Sequence, residues 1–111
     1  MPSTTPQNKA VTFINTFTVK PERQQELIDL LDRATDEVMR HLPGFISATM
    51  HRGLEGNKVA NYAQWRSLDD FQAVFKDPRA VEHMQEIMKL CEKFEPVLYT
   101  VETCHEAEAS S

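Results

Sequence analysis

The chain contains few of the residues that mark metal sites, disulfide frameworks and phosphate-binding loops. It has two cysteines and three glycines among 111 residues. Cys91 and Cys104 stand at no metal-ligand spacing, so we expect two reduced thiols in a cytoplasmic protein rather than a disulfide. The sequence has no Gly-rich phosphate loop, no cluster of metal-ligating residues and no Ser-His-Asp arrangement. The common catalytic and cofactor-binding motifs therefore do not explain what this chain does.

Charge and hydropathy argue against two further classes of partner. The net charge of −5 and the pI near 5.3 argue against binding to nucleic acid or to an anionic membrane surface. No apolar run approaches the roughly 20 residues of a membrane span.

Residues 1–9 lack the apolar core of a signal peptide. We predict a disordered leader over 1–9, one domain over 10–104 and a disordered tail over 105–111.

Hydrophobic periodicity predicts four strands and two helices. The strands are expected over 11–19, 45–52, 59–65 and 96–102. Pro21 suits the first turn of an amphipathic helix that ends near His41. Ser67 begins a second helix, which Asp77-Pro78 interrupts. The order β-α-β-β-α-β predicts an α+β, ferredoxin-like fold, with a four-stranded antiparallel sheet and both helices on one face.

Such a sheet has one face under the helices and one open face. We expect the more apolar set to face the helices: Val11, Phe13, Phe17, Val19, Phe45, Val59, Trp65, Val97, Tyr99 and Val101. The same face would carry Asn15, Ser47, Thr49, His51 and Asn61, a polar load that a pocket between sheet and helices would explain. The opposite face would carry Ile14, Ile46, Ala48, Met50, Ala60, Tyr62 and Leu98. This second set is too apolar to remain exposed to solvent over a whole sheet face, so we expect a homodimer packed sheet against sheet.

The run Asn-Tyr-Ala-Gln-Trp over 61–65 is the most informative part of the chain. Side chains alternate between the faces of a strand, so Asn61 and Trp65 share one face, with Ala63 between them. A buried amide needs hydrogen-bond partners, and an indole offers a large flat surface with one donor. This pair predicts the wall of a pocket for a polar aromatic molecule.

The position of His51 depends on the length of the following hairpin loop. A three-residue loop over 55–57 would place His51 opposite Asn61, on the pocket face. A two-residue loop over 55–56 would turn His51 to the dimer face instead, because a shift of one residue moves a side chain across the sheet. We expect the three-residue loop, since a pocket base requires it.

Residues 43–49, the small-polar turn after His51-Arg52, and residues 61–67 resemble the antibiotic biosynthesis monooxygenase family. The resemblance implies a dimeric α/β barrel enzyme that oxidises phenolic polycycles to quinones with O₂ and no bound cofactor. Carried over by position, the family's pocket amide and indole fall on Asn61 and Trp65, and its histidine on His51. A second amide, on the first strand, matches Asn15. Two departures stand out: Phe71 replaces a tyrosine, and an arginine is replaced by Met84 or His83.

These residues predict a cofactor-independent monooxygenase that converts a phenolic, anthrone- or quinol-type aromatic to a quinone. We expect three catalytic residues: His51 as base, Asn61 as donor to the forming oxyanion, and Trp65 either stacked on the substrate or donating to the peroxide. We expect Asn15, Phe71 and Tyr99 to bind the substrate, with neither metal nor cofactor.

Two alternatives remain open at this point. One is a non-catalytic dimeric α/β barrel that binds a small aromatic compound. The other is a haem-degrading monooxygenase, since His83 lies near the position of an axial histidine in haem-degrading relatives.

Overall fold

The computed structural model describes residues 9–108. Its four strands are β1 (Val11–Thr18), β2 (Phe45–Arg52), β3 (Lys58–Trp65) and β4 (Lys93–Tyr99). Its three helices are α1 (Gln24–Glu37), α2 (Leu68–Ala73) and α3 (Pro78–Leu90). Short 3₁₀ turns lie at Pro21–Arg23, Met39–His41 and Val74–Lys76. The predicted leader over 1–9, apart from Lys9, and the last three residues of the predicted tail lie outside the described residues.

The strands form one antiparallel sheet in the order β2-β3-β1-β4. This is the strand order expected of the ferredoxin-like βαββαβ fold, and that prediction is confirmed. Helix α2 begins where predicted, because the side chain of Ser67 accepts a hydrogen bond from the backbone N–H of Asp70. Asp77 caps α3 in the same way, with Pro78 in its first turn. Within residues 9–108, no helix combines the length and the hydropathy that a membrane crossing requires.

Two buried clusters join the helices to one face of the sheet. In the first, Leu27 and Leu31 of α1 pack with Phe17 and Val59 of the sheet. In the second, Trp65 packs with residues that include Val11, Phe71, Val74 and Ala80. The clusters bury aliphatic and aromatic surface at both ends of the sheet, which stabilises the layered arrangement.

The expected faces of β2 are wrong, because the hairpin loop has four residues. Gly53 and Lys58 close the hairpin through the Gly53 N–H, which donates to the Lys58 carbonyl at 2.8 Å. The loop over 54–57 therefore pairs Met50 with Asn61 and His51 with Ala60. The side chain of Gln24 on α1 donates to the carbonyls of Gly53, at 3.1 Å, and Lys58, at 2.9 Å, which holds this register.

A bulge between Phe45 and Ser47 completes the change in β2. Phe45 stays opposite Trp65, while Ser47 pairs with Gln64 and Ala48 with Ala63. Ala48 and Met50 therefore face the helices. Ser47, Thr49 and His51 lie on the open face and are exposed. A bulge adds one residue to one strand and so exchanges the faces on either side of it.

The expected faces of β4 are also wrong. The strand begins at Lys93 rather than Pro96, and it pairs Phe94 with Phe17, Leu98 with Phe13 and Tyr99 with Thr12. Leu98 therefore faces the helices, whereas Val97 and Tyr99 lie on the open face. Pro96 fits this strand because β4 is at the edge of the sheet, where a missing N–H leaves no ladder partner unpaired.

Candidate active site

A cavity of about 400 Å³ lies between the sheet and the helices. Its walls come from both buried clusters, and most of them are aliphatic or aromatic. Its polar lining residues are Asn15 of β1, Thr35 of α1, and Asn61 and Trp65 of β3. The volume is that of a small-molecule site, and a few polar groups in an apolar wall are what such sites use to orient a ligand.

Two amides face each other inside this cavity. Asn15 and Asn61 occupy directly paired positions on adjacent strands. The side-chain oxygens of both are buried and have no hydrogen-bond partner within the described chain. Leaving such a group unpaired costs about 1–3 kcal/mol, so two of them at one point in a core require an explanation. A bound molecule with polar groups would satisfy both.

Trp65 forms an aromatic wall beside the amide pair. Its side chain is buried and makes edge-to-face contacts with the rings of Phe45, at 5.4 Å, and Phe71, at 6.2 Å. Phe71 in turn contacts Phe13 at 5.0 Å and Phe75 at 5.4 Å between ring centroids. Aromatic pairs at these distances are favourable and fix ring orientation. The wall is suited to a flat, fused-ring ligand.

The mouth of the cavity is lined by large apolar side chains that remain exposed. Phe75, Met88, Phe94 and Leu98 all line the cavity, yet each keeps 40–53% of its surface accessible. They lie on the turn after α2, on α3 and on β4. These exposed side chains form an apolar rim of the cavity at the turn after α2, at α3 and at the edge strand.

The structure brings together four of the six predicted site residues. Asn15, Asn61, Trp65 and Phe71 line the cavity. His51 does not, because its register turns it to the open face, where its ring lies 6.5 Å from that of Tyr62. Tyr99 does not either, because it lies opposite Thr12 on the same open face. The expectations that placed His51 and Tyr99 in the pocket are corrected on this geometry.

His83, the residue behind the haem alternative, also lies outside the cavity lining. Its Nε2 is 3.8 Å from a carboxylate oxygen of Glu37, and its Nδ1 is 3.9 Å from one of Glu86. These contacts place His83 between α1 and α3 as a link between helices. Within residues 9–108, no three His, Cys, Asp or Glu side chains come together in a way that could hold a metal ion.

Sequence reasoning missed Thr35 and assigned Ala48 and Leu98 to the wrong face. Thr35 lines the cavity one position after Ala34 and four after Leu31, all on α1. That helical spacing places it on the sheet-facing side, which could have identified it. No comparable signal was available for Ala48 or Leu98, since their faces depend on a bulge and on the starting point of an edge strand.

The ferredoxin-like fold with an apolar cavity between sheet and helices is that of a small-molecule-binding α+β protein, and comparisons with known proteins identify its family. The family model for antibiotic biosynthesis monooxygenases matches residues 10–90. The chain is 47% identical over 83 residues to tetracenomycin-F1 monooxygenase of Streptomyces glaucescens, an alignment that spans 75% of this chain and 74% of that protein. The chain belongs to the antibiotic biosynthesis monooxygenase family.

Solved structures show the same relationship. One is the ActVA-Orf6 monooxygenase of Streptomyces coelicolor in complex with nanaomycin D, with 31% identity and a TM-score of 0.80. That match covers 94% of this chain and 96% of the other. Another is SnoaB of Streptomyces nogalater, a cofactor-independent oxygenase, with 27% identity and a TM-score of 0.75 over 86% and 96% of the two chains. The prediction of a monooxygenase of this family is confirmed by these comparisons.

Proposed function

We propose that this monooxygenase oxidises a fused-ring phenolic substrate, of the anthrone or quinol type, to a quinone with O₂ inside the cavity. The proposal rests above all on one observation: Asn15 and Asn61, at directly paired strand positions, line a cavity whose other walls are almost entirely apolar. Support also comes from the relatives, which include a tetracenomycin-F1 monooxygenase and an oxygenase bound to nanaomycin D.

The reaction needs no cofactor if the substrate is itself the reductant. Loss of a proton from an anthrone-type methylene gives a delocalised anion, which passes one electron to O₂. Recombination of the two radicals forms a carbon–oxygen bond and a peroxide. The second C–H proton then leaves as the O–O bond breaks, so that one oxygen atom becomes the carbonyl and the other becomes water. The methylene loses four electrons, and O₂ gains four.

Four lining residues have a proposed task in this reaction. Asn61 donates its amide N–H to the enolate oxygen as negative charge develops there, which is worth most in a site that excludes water. Trp65 stacks against the ring system. Asn15 accepts a hydrogen bond from a substrate hydroxyl, and Phe71 contacts the ring edge within the aromatic wall. Together these contacts hold the reacting carbon in a dry, apolar space open to O₂.

The test is O₂ consumption with simultaneous detection of the quinone. Colourless protein treated with a chelator is mixed with anthrones and hydroxynaphthacenes, and one mole of O₂ should disappear for each mole of quinone. Trp65→Phe keeps an aromatic ring and removes the indole N–H and part of the stacking surface, so it should lower turnover about tenfold. Uptake no faster than the autoxidation blank across the panel would overturn the proposed function.

We further propose that two copies pack through their open sheet faces. Val97 and Tyr99 lie on that face and expose 43% and 48% of their surface, and Ile14, Ala60 and Tyr62 extend the apolar area. A second copy would cover this surface. Light scattering should give twice the chain mass of 12.8 kDa. A single-chain mass at micromolar concentration would contradict the dimer.

A cytoplasmic location is part of the same proposal. Cys91 and Cys104 are both free thiols, as expected for a protein kept in a reducing compartment.

A further inference from the structure

The two buried clusters meet at one level of the molecule, and a polar side chain lies there on each of three elements. Asn15 on β1, Asn61 on β3 and Thr35 on α1 all line the cavity, and we call them the polar layer. Members of the two clusters flank this layer along each element: Val11 and Phe17 on β1, Val59 and Ala63 on β3, and Leu31 and Val38 on α1. The sheet and the helical side therefore bring polar residues to the same level of the cavity.

Thr35 is the one polar residue that the helices bring to the cavity lining within residues 9–108. Its position follows from helical spacing, since Leu31 lies one turn before it and Ala34 lies beside it, both buried in the first cluster. Threonine is a poorer helix former than alanine or leucine, because its branched side chain loses rotamer freedom in a helix. A hydroxyl in an apolar wall also loses hydrogen bonds to water, which costs free energy unless another partner replaces them.

The described part of the chain does not supply that partner. Within residues 9–108, the side-chain hydrogen bonds of α1 involve Gln24, Gln25, Glu26, Asp29 and Asp36. Thr35 takes no part in them. Its hydroxyl is therefore available to a molecule bound in the cavity.

The two amides of the polar layer cannot fix the orientation of a flat ligand by themselves. Asn15 and Asn61 occupy directly paired positions, where Cβ atoms lie about 4.5–5.5 Å apart, so together they hold one edge of a ligand. A fused-ring molecule held at one edge can still pivot and swing its far ring. The apolar walls do not prevent this, because hydrophobic contact is not directional. A second hydrogen bond, from a different wall, is needed to select one orientation.

We propose that Thr35 is a specificity-determining residue that makes this second contact. While the amide pair holds one edge of the ligand, the Thr35 hydroxyl hydrogen-bonds a phenolic hydroxyl elsewhere on the ring system and stops the pivoting. The cavity then binds a ring system that carries such a hydroxyl more tightly than the same ring system without it. The inference deepens the proposed function, because it concerns how the same cavity orients its substrate and the quinone formed from it.

The test measures quinone binding through the fluorescence of Trp65, which is the single tryptophan of the chain and lines the cavity. Anthraquinone and its two monohydroxy isomers are titrated in mildly acidic buffer, where the phenols stay protonated, and quenching of the indole gives each Kd. One of the hydroxylated isomers should bind about fivefold to tenfold more tightly than anthraquinone, which is the effect expected of one net hydrogen bond.

Two variants assign this preference to the hydroxyl of Thr35. Thr35→Val keeps the shape of the side chain and removes its hydrogen-bonding group, so it should bind the preferred isomer and anthraquinone equally well, with the Kd of anthraquinone unchanged. Thr35→Ser keeps the hydroxyl and should keep the preference. A side chain that acted only through packing would change the three Kd values together, and would respond to the methyl group lost in Thr35→Ser. Thermal melts of the same preparations check that both variants are folded.

Equal binding of all three quinones by the parent protein would overturn the inference. So would a preference that survives in Thr35→Val, or one that Thr35→Ser loses as completely as Thr35→Val does. Failure of the proposed function would look different. The preference for a hydroxylated quinone would be present and would depend on Thr35, while no anthrone would consume O₂ faster than the autoxidation blank.

Discussion

Replacing Asn61 with alanine is expected to lower kcat at least tenfold while leaving the fold intact. Asn61 lines an apolar cavity, where its amide N–H can donate to negative charge that develops on the substrate oxygen. Removing one such donor typically costs a factor of 10² to 10³ (about 2.7–4 kcal/mol) in related settings. The free energy of unfolding should not fall, because the variant also removes a buried oxygen without a partner. Steady-state O₂ uptake and a thermal melt of the same preparation measure both quantities.

A matched control separates catalysis from folding. Asn57 also has a buried side-chain oxygen without a partner, but it lies in the β2–β3 hairpin and does not line the cavity. Asn57→Ala makes the same chemical change outside the site and should keep kcat within about twofold of the parent. Equal rates for the parent and Asn61→Ala would refute the assignment, as would a loss of activity matched by a loss of melting temperature.

The alternation of β1 and β3 was enough to predict the centre of the site. These strands are inner strands of the sheet, and their faces follow from a period of two without interruption. Asn15, Asn61 and Trp65 therefore fall on the predicted face and meet in one cavity. An amide in an otherwise apolar face is a strong signal because burial makes it costly.

The outer strands could not be predicted to the same degree. The face of β2 depends on whether its hairpin loop has an odd or an even number of residues, and on the bulge after Phe45. The face of β4 depends on a start at Lys93 rather than at Pro96. Neither feature changes the composition of the strand, so apolar periodicity alone fits both registers. One-residue differences of this kind moved His51 and Tyr99 out of the pocket.

Helices α2 and α3 contribute apolar side chains to the cavity. Phe71, where the resemblance implies a tyrosine, lines it. Met84, one of the two positions (with His83) to which the resemblance assigns an arginine, lines it as well. The polar groups that remain come from strands β1 and β3 and from Thr35. Under the proposed function, orientation of the substrate depends on the polar groups of β1, β3 and α1, while α2 and α3 contribute shape and apolar contact.

The apolar character of the cavity leads to a second large effect, expected for Ala63→Leu. Ala63 lies between Asn61 and Trp65 on β3, is buried, and lines the cavity. A leucine there would extend into the space that a fused-ring substrate must occupy, so kcat/KM should fall at least a hundredfold. The melting temperature should stay the same or rise, because the added carbons fill an apolar void, and stabilisation at the expense of activity is common at binding sites.

Ala73→Leu on α2 provides the control for Ala63→Leu. It adds the same atoms at an exposed position outside the cavity and should leave kcat/KM unchanged. Substrate titrations followed by O₂ uptake would show whether the loss in Ala63→Leu comes from KM, as steric exclusion requires. Full activity in Ala63→Leu would mean that the substrate does not occupy the space between the amide pair and the indole. The chemistry would then have to be sought at the mouth of the cavity, beside Phe75 and Phe94, rather than at Asn61.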